Sequence, residues 1–315
     1  VRKETRKKVL NAMDSLGYKP NIIAQSLASK TTNSVGILIS ELHGPVYGPL
    51  MSGIEEELRK AGKHVFIAAG HSDPKLEQEN IEFLISRNCD ALIMHVEAVT
   101  DDYLIELSNA KTPFVLLNRN VPELTDNCIV LDNNYGGYLA TKLLLEYGHR
   151  DIAYISGPLW KKDAHDRLDG HKKALSEWGI NFNYKLLYEG DFQEKSGING
   201  LRHFLHLKRQ FTGLVCANDE MAAGAMGQAR DSNLVLPDDL SIVGYDDMSL
   251  AYYLHPKLTT IRYPVDEIGN MAAKWVLKNV YKMANIDIQN SFEPELIIRT
   301  SCRKINQKSF LSPEK

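Results

Sequence analysis

The sequence predicts an α/β protein built on parallel sheets with helices over both faces. Three observations carry this. Short runs rich in β-branched residues recur along the chain, amphipathic stretches of three- and four-residue period lie between them, and the runs are apolar throughout rather than alternating. The predicted strands fall at residues 35–39, 64–68, 91–96, 114–117, 152–155, 184–188, 213–217 and 240–245. Helical patterns separate most of them, at 50–60, 76–86, 135–147, 165–178 and 221–230, and a helix at 265–280 with a strand at 295–299 closes the chain. Periodicity alone fits either one α/β domain or two smaller ones.

A different pattern precedes the first strand. Residues 4–16 read as a helix, because Val9, Ala12, Met13 and Leu16 repeat at helical spacing while Arg6, Lys7 and Lys8 occupy other faces. Gly17 then stands where a C′ residue of positive φ is wanted, and Pro20 forbids continuation. A second short helix is predicted at 21–28 with Asn21 as candidate N-cap, followed by a polar linker at 29–34. Eight residues are too few for a helix stable on its own, so this one should form only when something packs on it.

The chain has 315 residues, 43% of them hydrophobic and 24% charged, enough for two ordinary domains with real cores. Disordered, collagen-like and disulfide-scaffold classes are excluded on composition. No run approaches the ~18 apolar residues of a membrane-spanning helix, and the first thirty residues are polar and basic where a secretory signal would need an apolar stretch. Cys89, Cys128, Cys216 and Cys302 lie far apart, which suits reduced thiols and a cytoplasmic protein. The formal net charge of −3 hides an asymmetry: Arg2, Lys3, Arg6, Lys7, Lys8, Lys19 and Lys30 face only Glu4 and Asp14 in the first thirty residues. A basic head that can neutralise phosphates thus sits on an acidic body.

In open parallel sheets ligands bind beyond the carboxyl ends of strands. Tyr47, Asn118, Trp160, Lys161, Asp163, Arg167, Phe192, Asn218, Asp219, Asp246 and Asp247 follow the predicted strands. Amides, carboxylates and an arginine take adjacent hydroxyls in pairs, and aromatics cover a C–H face, so this set suits a polyhydroxylated ring. Singly, each residue has a plainer role: Asp219 and Asp163 as helix N-caps, Asn118 as a turn residue, Arg167 in a surface ion pair. Phosphate-loop, dinucleotide, nucleophile-elbow and zinc-protease motifs are all missing, and His203 with His206 lacks further ligands for a metal. No catalytic residue, cofactor or metal is expected.

Several ordered segments carry a family resemblance: Thr5-Arg6 with residues 9–13, Leu16-Gly17-Tyr18-Lys19-Pro20-Asn21, Ala24-Gln25-Ser26-Leu27-Ala28, Ser34-Val35-Gly36, Ser156-Gly157-Pro158, Asp163-Ala164 with Arg167 and Gly170, residues 217–222, and residues 240–247 running on to 258–261. Over essentially its whole length the chain resembles the lactose/galactose repressor (LacI/GalR) family of bacterial transcription regulators. Residues 89–93, 117–119 and 262–264 are most similar to galactose and β-glucoside regulators.

The resemblance implies two similar lobes with parallel sheets, of the type I periplasmic-binding-protein kind, crossed three times by the chain. One lobe would hold 34–131 plus 263–290 and the other 132–262 plus 291–305, with 306–315 a flexible tail. Residues 1–33 would be the C-terminal part of a helix-turn-helix headpiece and its hinge helix, the reading helices being expected before Val1, so that operator binding requires the complete headpiece. Carried over by position, Val46, Tyr47, Asn118, Lys161, Asp163, Arg167, Phe192, Asn218 and Asp246 would contact the effector, with Trp160 beside them. Arg6, Asn21, Ala24, Gln25, Leu27 and Ala28 would contact DNA, Leu27 wedging into the minor groove. The implied protein is a cytoplasmic homodimer that binds palindromic operator DNA, represses sugar-utilisation genes and is controlled by a small sugar, without a membrane partner. A neutral sugar is expected if Lys161 and Lys162 face water, a sugar phosphate if both enter the cleft. Two rivals are a periplasmic-type sugar-binding protein and a sugar-modifying enzyme using Asp163 with Asp246 as its acid/base pair.

Overall fold

The computed structural model describes residues 3–18, 31–207 and 211–305. Helix α1 (Lys3–Ser15) ends as the sequence predicts: Gly17 adopts φ +60°, and the Tyr18 amide donates back to the Met13 carbonyl at 2.9 Å. The predicted 21–28 helix, with Asn21, Ala24, Gln25, Leu27 and Ala28, lies outside the described residues, as does the 306–315 tail. Arg6 lies on α1.

The first lobe runs β1 (Ser34–Ile39), α2 (Tyr47–Lys60), β2 (His64–Ala69), α3 (Pro74–Ser86), β3 (Ala91–Met94), α4 (Asp101–Ser108), β4 (Phe114–Leu117) and β5 (Cys128–Leu131). The chain then crosses to α5 (Asn133–Glu146), β6 (Ile152–Ser156), α6 (Lys162–Glu177), β7 (Leu187–Glu189), α7 (Glu194–His206), β8 (Gly213–Cys216), α8 (Asp219–Asp231), β9 (Ser241–Asp246), α9 (Ser249–Tyr253) and β10 (Thr259–Arg262). It returns with α10 (Val265–Asn279) and β11 (Ser291–Phe292), and finishes on β12 (Glu295–Ile297). The two sheets have the orders β11-β5-β4-β3-β1-β2 and β12-β10-β9-β8-β6-β7. All pairings are parallel except β10 with β12. Because Ser291 and Phe292 pair with Val130 and Leu131, the third crossing falls after Phe292, two residues beyond the expected boundary at 290.

Strands β3, β4 and β8 are buried along their whole length, as runs covered on both faces must be. Edge strand β2 departs from this, with Phe66 and Ile67 exposed. The predicted strand at 184–188 opens instead as a 3₁₀ turn (Tyr184–Leu186). There the Asn183 side chain accepts the Lys185 amide at 3.1 Å, a local bond that competes with strand pairing. Helices α5 and α6 pack with almost no separation: a Cβ on Gly137 would lie 2.0 Å from the Arg167 carbonyl oxygen, and one on Gly170 1.9 Å from that of Asn134. That contact sets Arg167 beside the first residues of α5, where the chain has just left the other lobe. Among the described residues no helix is long and apolar enough to cross a membrane.

Candidate functional site

A cavity of about 190 Å³ lies between the lobes, lined by residues that follow strands of both sheets. Val46, Tyr47 and Asn118 reach it from the first lobe, and Lys161, Asp163, Arg167, Phe192, Asn218 and Asp246 from the second, so the predicted set comes together with one exception. Trp160 does not line this cavity. It is 59% exposed and borders a neighbouring one, from the loop that leads into α6.

Arg167 is the centre of the arrangement. It is 3% exposed, its Nε donates to the Asn133 Oδ1 at 2.9 Å and its Nη1 to the Ala217 carbonyl at 2.6 Å. The guanidinium carbon lies 3.7 Å from the Tyr245 ring centroid, a cation–π stack that fixes the plane. Asp246 stands 3.5 Å from Nη1 and Asp163 3.9 Å from Nη2. Two of five N–H donors are therefore committed to neutral oxygens inside the protein, and Nη2 makes no hydrogen bond among the described residues. A buried arginine held this way presents a preformed pair of donors to whatever enters.

Neighbouring residues are built to stay put. The amide of Asn218 caps α8 by accepting from Met221 at 2.9 Å and donates to the Phe192 carbonyl at 2.7 Å, so Asn218, and not Asp219, is the N-cap. Asp219 instead accepts from Thr260 and from the Met248 amide. Asp163 does not cap α6 either; Lys161 occupies that position. The Phe192 ring lies where a Cβ on Gly157 would be, 2.2 Å away at its nearest atom, so only glycine there lets the ring form one wall. Asn118, Phe192 and Asp246 all hold positive φ, +52°, +68° and +113°. For Phe192 and Asp246 this is strained backbone, costing about 1–3 kcal/mol each, concentrated around one cavity.

Across the cavity mouth the lobes are joined by an ion pair, Lys161 Nζ to Glu97 Oε2 at 2.7 Å. The Glu97 carboxylate also accepts from Ser40 at 3.1 Å and from Ser72, and Ser40 in turn bonds the His95 ring. Burial pushes the Glu97 pKa up, but His95 and Lys161 outweigh it and hold the group below the usual range. Lys162 instead faces water and pairs with Asp166. The two lysines thus divide, one into the cavity wall already neutralised and one outside.

Asp246 is pushed up to about 7 by burial, with Asp163 and Glu220 adding to the effect and Arg167 opposing it. The sign follows from linkage: a carboxyl whose folded pKa is raised stabilises the fold below its unfolded value, and this contribution is lost between about pH 4 and pH 7. Thermal unfolding from pH 4 to 8 should therefore show wild type losing stability relative to Asp246→Asn as pH rises. Parallel curves for the two proteins would place the carboxyl back at its ordinary value.

Several contributors were not anticipated from sequence, Gln193 and Glu220 of the cavity wall among them. Asn133 bridges the lobes, donating to Asn118 Oδ1 at 2.9 Å while accepting from Arg167 and, at 3.3 Å, from Tyr245. His95 and Glu97 follow β3, and Tyr263 follows β10. A signal existed for Asn133 alone: Cys128–Leu131 is a short apolar run ending just before it. His95 falls inside the predicted strand 91–96, and only the structure shows that β3 stops at Met94.

Comparison with known proteins gives these residues a context. Residues 141–302 match the periplasmic binding protein-like domain family. Over 297 residues, 94% of this chain and 87% of the relative, the sequence is 36% identical to the HTH-type transcriptional regulator GalR of Escherichia coli strain K12. The chain belongs to the LacI/GalR family of transcriptional regulators. Among solved members, the lac repressor dimer bound to operator and the anti-inducer ONPF superimposes with a TM-score of 0.85 at 28% identity, covering 96% of this chain and 91% of that one. A LacI family regulator from Enterococcus faecium with bound ribose superimposes with a TM-score of 0.75, also at 28% identity, covering 87% and 100%. LacI/GalR membership favours regulation of transcription over the periplasmic-type sugar-binding alternative.

Proposed function

We propose that this LacI/GalR regulator is a homodimeric repressor of sugar-utilisation genes, released from palindromic operator DNA when a neutral sugar binds between its lobes through Arg167. The single observation that carries the reading is the interlobe cavity in which a stacked, hydrogen-bonded arginine keeps Nη2 uncommitted beside two carboxylates and the Phe192 ring. Arginine donates to adjacent hydroxyls, the carboxylates accept from others, and the phenyl ring covers an apolar ring face. Charge favours a neutral ligand. With Lys161 and Glu97 paired to each other and Asp246 pushed up to about 7, Glu41, Asp163, Asp191 and Glu220 still face Arg167 across the cavity, so a phosphate would meet net repulsion.

Because both lobes contribute walls, occupancy favours one lobe arrangement. A ~100-fold preference supplies about 2.7 kcal/mol, enough to loosen DNA by a similar factor. Dimerisation is supported by the exposed Phe66 and Ile67, which stand on opposite faces of edge strand β2 and leave apolar side chains along an edge that a second copy covers. The site consumes no sugar on this reading: Asp163 and Asp246 both flank the same guanidinium, which suits binding better than acid/base exchange. The protein would act in the cytoplasm, where its DNA is.

A thermal-shift panel of D-galactose, D-fucose, D-glucose, D-ribose and glucose 6-phosphate tests the ligand class. Stabilisation by one neutral sugar and not its epimer is expected. Stabilisation by the phosphate ester alone would overturn the neutral-sugar reading, and duplexes selected from a random pool by the protein with a complete headpiece should dissociate on adding the stabilising sugar.

A further inference from the structure

A second cavity of about 190 Å³ adjoins the first and shares His95, Glu97, Asn118 and Asp163 with it. Trp160, excluded from the first cavity, borders this one. A single exposed indole is ordinary on a protein surface. This one is placed by its neighbours: Lys161 Nζ lies 5.4 Å from the Trp160 ring centroid while holding Glu97, which lines both cavities, at 2.7 Å. The indole is thereby tied to the seam between two spaces of equal size.

Resting on the sugar-binding reading above, we infer that the effector is a glycoside with a second ring, its first ring against Arg167 and its second on the Trp160 face. The chemistry of the shared wall fits a junction between rings. The Asn118 Oδ1 is taken by Asn133, leaving its amide donor with no bond among the described residues, and Asp163 supplies an acceptor lining both spaces. The second space offers an aromatic face beside a guanidinium, Arg119, whose Nη2 is held by the Val99 carbonyl at 2.7 Å and by Asp101 at 2.6 Å. Asn120 and Lys162 border this space as well, so the indole face is rimmed by polar groups, an arrangement that suits a pyranose or an aryl aglycone stacked on the indole.

The test compares each free hexose, D-galactose and D-glucose, with its phenyl β-glycoside and with lactose and cellobiose, by titration calorimetry on wild type and Trp160→Ala. One two-ring ligand should bind about tenfold or more tightly than its parent hexose, and Trp160→Ala should shrink that ratio about two- to tenfold. Iodide quenching of tryptophan emission should fall on adding the glycoside and not the hexose. A preference for disaccharides over phenyl glycosides identifies a sugar as the second ring, and the reverse an aryl group. Equal affinities for hexose and glycosides, or a ratio untouched by Trp160→Ala, would overturn the inference while leaving the sugar reading standing. Failure of every sugar and glycoside to bind would remove both.

Discussion

Replacing Arg167 with alanine is expected to weaken sugar binding by about 100-fold or more, so that no attainable sugar concentration releases the DNA. The magnitude follows from the donors at stake. A hydrogen bond from a charged group contributes about 1.5–3 kcal/mol, and two lost from one guanidinium exceed the 2.7 kcal/mol of a 100-fold change. Truncation also strips Asp163 and Asp246 of their counter-ion, leaves the Ala217 carbonyl without its guanidinium donor, and leaves Asn133 Oδ1 with the longer Tyr245 bond alone. Some loss of stability is therefore expected alongside, about 3–5 kcal/mol by the usual cost of breaking a buried pair. Arg167→Lys separates the two effects. It keeps the positive charge between the carboxylates but cannot offer the planar fork, so it should recover most of the stability and little of the affinity. Calorimetric titration on both variants, with unfolding followed by circular dichroism, provides the measurement. Wild-type affinity in Arg167→Lys would show that charge alone holds the sugar.

The parts of this fold that sequence discloses are those where one physical demand dominates. Strands buried on both faces, such as Phe114–Leu117 and Gly213–Cys216, have little room for polar side chains and announce themselves as apolar runs. Gly17 is legible because the end of α1 needs a conformation few other residues adopt cheaply. What escapes is local competition between demands. The predicted strand runs on through Val96, yet β3 stops at Met94, and just beyond it the Glu77 carboxylate captures the amides of Glu97, Ala98 and Val99. A glutamate twenty residues upstream gives no sign of this. Asn133 was half visible: the short run Cys128–Leu131 precedes it, but nothing marks that its amide joins three side chains scattered along the sequence. Trp160 was mis-set for the opposite reason: its residue type suits a sugar, but type does not specify direction where a loop meets a helix. Residues at the carboxyl ends of parallel strands converge by topology, so the rest of the cavity wall could be nominated from position.

The second large effect is expected at a residue that lines no part of the candidate sugar cavity. Glu77, on α3, is 1% exposed and accepts the amides of Glu97, Ala98 and Val99 at 2.9, 3.0 and 2.8 Å. Glu77→Ala leaves three backbone donors without acceptors in a largely closed setting, at about 1–3 kcal/mol each where water cannot reach them. Because only part of that segment is fully buried, we expect a total of about 3–5 kcal/mol, or a fall in Tm of about 5–10 °C. The same bonds aim Glu97 at Lys161, so freeing the segment should also loosen the bridge between lobes and weaken sugar binding. Glu77→Gln tests the cause. A glutamine keeps an oxygen for one or two of the amides but brings an NH₂ group that faces donors, so it should fall between wild type and alanine in both Tm and affinity. If Glu77→Ala melted within about 2 °C of wild type, the three amides would have found water or other carbonyls. If Tm fell while sugar affinity held, the Glu97–Lys161 bridge would be irrelevant to the cavity it closes.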